Sequence, residues 1–170
     1  AANAVVQPMG LYSNKIHSLD DIKADTKIAI PNDPSNGGRA LVLLEKAGII
    51  KLKPDYKGEA SIHDVAENPR GVKLVELEAA QLPISLQDLD VACVPMNYAV
   101  SGGLDVNKQG FYFESRDAKY ALIIIAARPD NVQSPEVQTF VKCYQSPEVA
   151  AFIKEKFKGQ INPAWEQPAK

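Results

Sequence analysis

The residues best suited to chemistry lie in Ile30-Pro31-Asn32-Asp33-Pro34-Ser35-Asn36-Gly37-Gly38-Arg39-Ala40-Leu41. A strand pattern ends, a polar loop turns, and a helix pattern begins at Arg39. A helix start offers unpaired N–H groups and a partial positive charge, which suit phosphate or carboxylate. Gly37 and Gly38 would let a ligand approach the backbone. Arg39, read as lying in the first helical turn, would add a bidentate grip on a carboxylate. The other reading is a well-capped strand-to-helix turn with Arg39 on the surface. In both readings Arg39 is dispensable for folding. No Lys-Ser/Thr pair follows the glycines, so this is not a nucleotide-binding phosphate loop.

Other constellations are weaker. His17 and His63 are the only histidines, and neither belongs to a His-Glu-x-x-His or Cys-x-x-Cys pattern, so no metal site is expected. Ser101-Gly102-Gly103 lacks the Gly-x-Ser-x-Gly frame of a nucleophile elbow. Cys93 sits inside an apolar strand pattern, where a thiolate is disfavoured. Cys93 and Cys143 allow at most one internal disulfide and read first as small buried hydrophobes. Glu76 and Glu78 share a strand face and read as a solvated strand end. No catalytic residue and no cofactor is assigned. Tyr98, Tyr120, Phe111 and Tyr112 fall near strand ends, where they could wall an apolar pocket or serve as ordinary core.

These residues need a scaffold. Strand patterns run over 27–30, 72–77, 90–94, 110–114 and 120–127, the last apolar on both faces and so expected between two helical layers. The 110–114 pattern reads as a short edge strand. Helix patterns cover 39–47, closed by Gly48, and two C-terminal stretches opened by Ser134-Pro135-Glu136 and Ser146-Pro147-Glu148. In those two helices Val137, Phe140, Val141 and Tyr144, then Val149, Phe152, Ile153 and Phe157, form apolar stripes. Ser18-Leu19-Asp20-Asp21 is a capping-box start. Alternating strands and helices predict an α/β fold with a largely parallel sheet.

Composition sets the outer bounds. The chain has 170 residues, 45% hydrophobic and 24% charged, which excludes a disordered or fibrous chain. At this size about 70% of the unfolded surface can be buried. Nineteen basic against 21 acidic residues give a net charge of −2, so no basic excess draws nucleic acid or an anionic membrane. The longest apolar run, 120–127, is far short of the ~18 residues of a membrane helix.

IPNDPSNGGRALVLLEKAGIIKLK (30–53) closely resembles the signature of the NlpA-type lipoproteins, methionine-binding substrate-binding proteins of bacterial ABC importers. PMGLYSNKIHSLDDIK (8–23), DVAENPRGVKLVELEAAQLPISLQDLDVA (64–92), NYAVSGGL (97–104) and SPEVAAFIKEKFKG (146–159) follow in family order at family spacing. The resemblance implies a periplasmic-binding-protein type II-like two-lobed α/β fold that closes on an amino acid in its cleft. It implies no enzymatic activity. Residues 18–114 would form one complete lobe, and 1–17 with 115–170 part of a second. The segment that opens the family's chains, with its cleft-lining aromatic-histidine motif, lies outside the match. Chain crossings between lobes would fall near 9–13 and 120–124.

The resemblance also implies ligand-binding residues. Arg39 takes the place of the arginine that contacts the ligand carboxylate, with Asn36, Asn97, Tyr98 and Tyr120 as neighbours. The partners implied are a methionine-like small molecule and an ABC permease, without nucleic acid. Membrane attachment would be only through a lipid anchor outside this chain, at the periplasm or cell envelope. Pro95 stands where the family has an asparagine three residues before its tyrosine, Tyr98 here. Leu122 replaces the asparagine of the family's Ser-Pro-Tyr-x-Asn pattern. These two changes imply weak binding of free L-methionine or a different ligand. The alternative is an envelope lipoprotein with altered or lost binding, acting as an adhesion or scaffold module.

Overall fold

Lys27-Ile28-Ala29-Ile30-Pro31 forms a strand whose three central residues are fully buried, and Asp33, two residues beyond its end, stops the extension by capping a helix. This strand–turn–helix lies in a computed structural model that describes residues 1–115 and 118–166. In chain order the elements are β1 (Ala2–Val6), β2 (Met9–Tyr12), β3 (Lys27–Pro31), α1 (Pro34–Lys46), β4 (Lys51–Leu52) and β5 (Val65–Glu67). Next come β6 (Lys73–Leu77), α2 (Leu82–Ser85), β7 (Val91–Pro95), α3 (Met96–Ser101), α4 (Val106–Gln109) and β8 (Gly110–Phe113). The chain continues with β9 (Leu122–Ile125), α5 (Pro135–Tyr144), α6 (Pro147–Phe157) and β10 (Asn162–Pro163). The chain divides into two compact units, Met9–Glu114 and Ala1–Pro8 with Ser115–Lys170.

The larger unit is built on a five-stranded sheet in the order β6-β3-β7-β2-β8. β3 runs parallel to β6 and β7, whereas β2 is antiparallel to both β7 and β8. The sheet is therefore mixed rather than largely parallel, because β2 enters from upstream of the parallel run and inserts between β7 and β8. That insertion is why this unit begins at Met9 and not at residue 18. It closes after Glu114, before the 120–124 stretch expected to carry the second crossing. β8 is an edge strand, as its short aromatic pattern suggests. α1 buries Gly37, Ala40, Leu41 and Leu44, an i, i+3, i+4, i+7 stripe, together with Leu43. Leu41, Leu43 and Leu44 are each at most 1% exposed and join Ile28, Ile30, Ile49 and Cys93 in one core. Each such side chain contributes about 1.5–3 kcal/mol of burial.

The smaller unit carries a three-stranded antiparallel sheet, β10-β1-β9, with α5 and α6. Among its described residues Val6, Ala121 and Ala164 form one buried cluster, and Ala4, Val5, Ala150, Ile153 and Ile161 are buried as well. β9 lies at an edge of this sheet among the described residues. Leu122, Ile123 and Ile124 are 37%, 39% and 60% exposed, so the strand is not covered on both faces as its composition predicts. The stripe of α5 likewise buries no residue, and in α6 only Ala150 and Ile153 are buried. Both helix starts match expectation: Ser134 accepts from Val137 N–H and Ser146 from Val149 N–H. Among the described residues no helix is long and apolar enough to cross a membrane.

Candidate functional site

α1 begins earlier than its apolar pattern indicates. Asp33 has an extended backbone and its carboxylate accepts from Asn36 N–H at 2.9 Å, while Pro34 occupies the first helical position, where a missing N–H is harmless. The Asn36 amide also donates to both Asp33 oxygens, at 3.2 and 3.1 Å. Asn36, Gly37 and Gly38 therefore lie inside the helix, and Arg39 moves from the first turn to the second. The glycines serve packing. A Cβ on Gly37 would stand 2.7 Å from the Pro31 carbonyl oxygen, and one on Gly38 would stand 3.0 Å from the Ala60 backbone. They admit the protein's own backbone, where the sequence suggested a ligand.

Arg39 is not a surface residue. It is 6% exposed, and its Nε donates to both Glu114 oxygens at 3.0 Å while Nη2 donates to Oε2 at 2.5 Å. The Glu114 side chain is equally buried, and its Oε2 also accepts Met9 N–H at 3.0 Å. The Glu114 N–H returns a bond to the Met9 carbonyl at 2.9 Å. Removing either ionic partner leaves a buried charge uncompensated, at about 3–5 kcal/mol. Arg39 is therefore part of the fold and not dispensable to it.

The sheet order gathers these groups. β3 and β7 are neighbours and parallel, so the α1 turn after Pro31 and the α3 turn after Pro95 emerge at the same edge. β2 runs the other way and starts there with Met9, paired with Pro95, and β8 ends there before Glu114. Arg39, Asn36, Asn97, Tyr98, Met9 and Glu114 thus share the carboxyl edge of the parallel strands, where open α/β sheets collect ligands. Asn97 is exposed and Tyr98 half-buried. Tyr120 belongs to the smaller unit, in a short helical turn, and is 36% exposed. Pro95 caps α3 with no side-chain bond, and Leu122 opens β9.

Tyr12 is the aromatic residue that the sequence reading missed. It is fully buried, stacks edge-on against Phe113 at 5.8 Å, and donates its hydroxyl to Met96 Sδ at 3.7 Å. Burial pushes its phenol well above the usual range. Glu114 was missed as well; its only sequence signal is an acid that ends the aromatic run Phe111-Tyr112-Phe113. Cys93 is fully buried and its thiol is raised by burial, whereas Cys143 is exposed on α5, and both are free thiols. Beside the first turn of α1 lies a cavity of ≈ 170 Å³, lined in part by Asp33, Gly37, Glu59, Ser61 and Glu76. It includes none of the expected ligand-binding residues except through the helix that carries them.

Comparison with known proteins agrees with this architecture. The NlpA lipoprotein family model matches residues 1–165. The D-methionine-binding lipoprotein MetQ of Escherichia coli (strain K12) is 42% identical over 165 residues, 96% of this chain and 60% of that protein. Outer membrane lipoprotein 3 of Mannheimia haemolytica is 41% identical over 163 residues, 96% of this chain and 62% of that one. A nutrient binding protein from Burkholderia cenocepacia, solved bound to methionine, superposes with a TM-score of 0.89 at 44% identity, over 96% of this chain and 68% of that one. The chain thus spans about 60% of the length of the curated relatives it matches. Its fold is that of the periplasmic substrate-binding proteins, with one full α/β lobe and part of a second. By sequence and by fold alike, the chain belongs to the NlpA lipoprotein family.

Proposed function

We propose that the chain acts as the substrate-binding component of an ABC importer for methionine or a related amino acid or small carboxylate. It works by binding, not by catalysis. The carrying observation is the methionine-bound Burkholderia cenocepacia structure, 44% identical over 96% of this chain. Arg39 would grip the ligand carboxylate from α1, with Asn36, Asn97, Tyr98 and Tyr120 as further contacts. The partner would be an ABC permease, and the setting the periplasm or cell envelope, with a lipid anchor outside this chain. The lipoprotein names of the relatives support that setting.

Pro95 and Leu122 supply no polar side chain where the family resemblance places asparagines. A lost partner at a buried charge costs about 3–5 kcal/mol, or roughly two to three and a half decades of affinity. Calorimetric titration with L- and D-methionine is therefore expected to give saturable binding weaker than micromolar. A sub-micromolar Kd would refute the weakening assigned to these two positions. If no amino acid binds or raises the melting temperature, the transport reading fails. The second reading, an envelope lipoprotein that has lost its ligand, then takes its place.

A further inference from the structure

We infer that Arg39, Glu114 and Met9 form a clasp at the two ends of the larger unit, one that keeps this unit folded when the smaller unit opens. The larger unit runs from Met9 to Glu114. Those two residues meet although 105 positions separate them. Glu114 N–H donates to the Met9 carbonyl at 2.9 Å, and Met9 N–H donates to Glu114 Oε2 at 3.0 Å. Their place is the next rung of the β2–β8 ladder, one step beyond Gly10 opposite Phe113. A hydrogen-bonded antiparallel rung ordinarily exchanges two main-chain bonds. Here the Met9 N–H goes to a carboxylate, and Arg39 holds that carboxylate from the second turn of α1 through Nε and Nη2. The rung is thereby tied to the helix whose Leu41, Leu43 and Leu44 lie in the core.

A terminal rung on an edge strand frays readily, because few buried contacts oppose its opening. A buried ion pair is weak support for a fold as a whole. Its effect here is local: the last rung opens only if α1 also gives way. The smaller unit makes such a stop consequential. Its Ile124, Phe140 and Phe152 are 60%, 56% and 59% exposed, so less apolar burial opposes its opening. Within it, Gln7 N–H donates to the Ala121 carbonyl at 2.7 Å. Only Pro8 stands between that bond and Met9, so fraying that passed Gln7 would run directly into β2. The clasp stands at that point, and it is independent of what the chain binds.

The test is amide exchange of the full chain, resolved by NMR, in rising urea below the unfolding midpoint. In the wild-type chain the amides of β9 and α5 are expected to exchange through an opening that low urea promotes. Those of Met9 and Glu114 should exchange only with β3 and β7, in global unfolding. Arg39→Met with Glu114→Leu fills the space with apolar groups, a replacement that commonly keeps or raises stability. This double variant should leave β3 and β7 protected, while positions 9 and 114 exchange about tenfold faster or more, together with β9. Glu114→Gln is the second variant should the apolar pair not fold, and positions 9 and 114 should then exchange about tenfold faster relative to β3. An ion pair that merely stabilised the unit would change β3, β7 and positions 9 and 114 alike. That result, or unmoved exchange at positions 9 and 114 in a folded variant, overturns the inference. A wild-type chain in which Met9 and Glu114 already exchange with β9, or in which both units exchange in one transition, overturns it as well.

Discussion

At the residue scale, Gly37 shows how a motif can be legible while its purpose is not. Two glycines beside an arginine suggest an open backbone waiting for an anion. The structure fills that space with the Pro31 carbonyl and the Ala60 backbone. The contacted atoms are main-chain and cannot swing aside, so a methyl group at 37 must push β3 and α1 apart. We expect Gly37→Ala to destabilise the chain by about 1–3 kcal/mol despite alanine's better helix propensity. Urea unfolding measures this, and a neutral or stabilised variant would contradict the packing role. Arg39 shows the complementary case. Its cationic character is plain in the sequence, but its partner lies 75 positions away, and no local spacing rule connects the two.

At the element scale, the caps at Ser18, Ser134 and Ser146 were the most readable features, whereas those at Asp33 and Ser61 came only from the structure. Ser18, Asp33, Ser61, Ser134 and Ser146 each start a helical segment, because a short polar side chain satisfies the N–H groups a helix leaves open. Two of these starts lead to a pH prediction. Asp21 is held below the ordinary carboxylate range chiefly by the Ser18 hydroxyl, and Asp64 likewise by Ser61. A depressed native pKa adds stability that is present above the unfolded value of ~4 and is lost as pH falls through the native value. The melting temperature should therefore decline as the solution is acidified below about pH 4. Ser18→Ala with Ser61→Ala should make that decline shallower. A double variant with an unchanged acid slope would remove these caps from the explanation. Helix starts are local and so survive in the sequence. The start of α1 was placed too late because its first turn, Pro34-Ser35-Asn36-Gly37, lacks the apolar spacing that marks the rest.

At the scale of the whole molecule, the two units differ in how much apolar surface they bury. Met9–Glu114 carries a continuous core, whereas in the other unit Ile124, Phe140 and Phe152 are 60%, 56% and 59% exposed. Amide exchange should therefore be slowest in β3 and β7 and clearly faster in β9 and α5. Equal protection in both sets would contradict the difference in burial. The sequence by itself determined the α/β class, the capped helices, the strand–turn–helix around Arg39 and the family, because each rests on local periodicity or on an ordered run of motifs. Tertiary structure alone decided that β2 inserts antiparallel between β7 and β8, that β9 stays exposed, and that Arg39 is buried against Glu114. The physical reason is that sheet order and burial depend on which distant segments meet. An apolar strand reads the same whether a neighbour covers it or not, and a charge reads the same whether it faces water or an opposite charge.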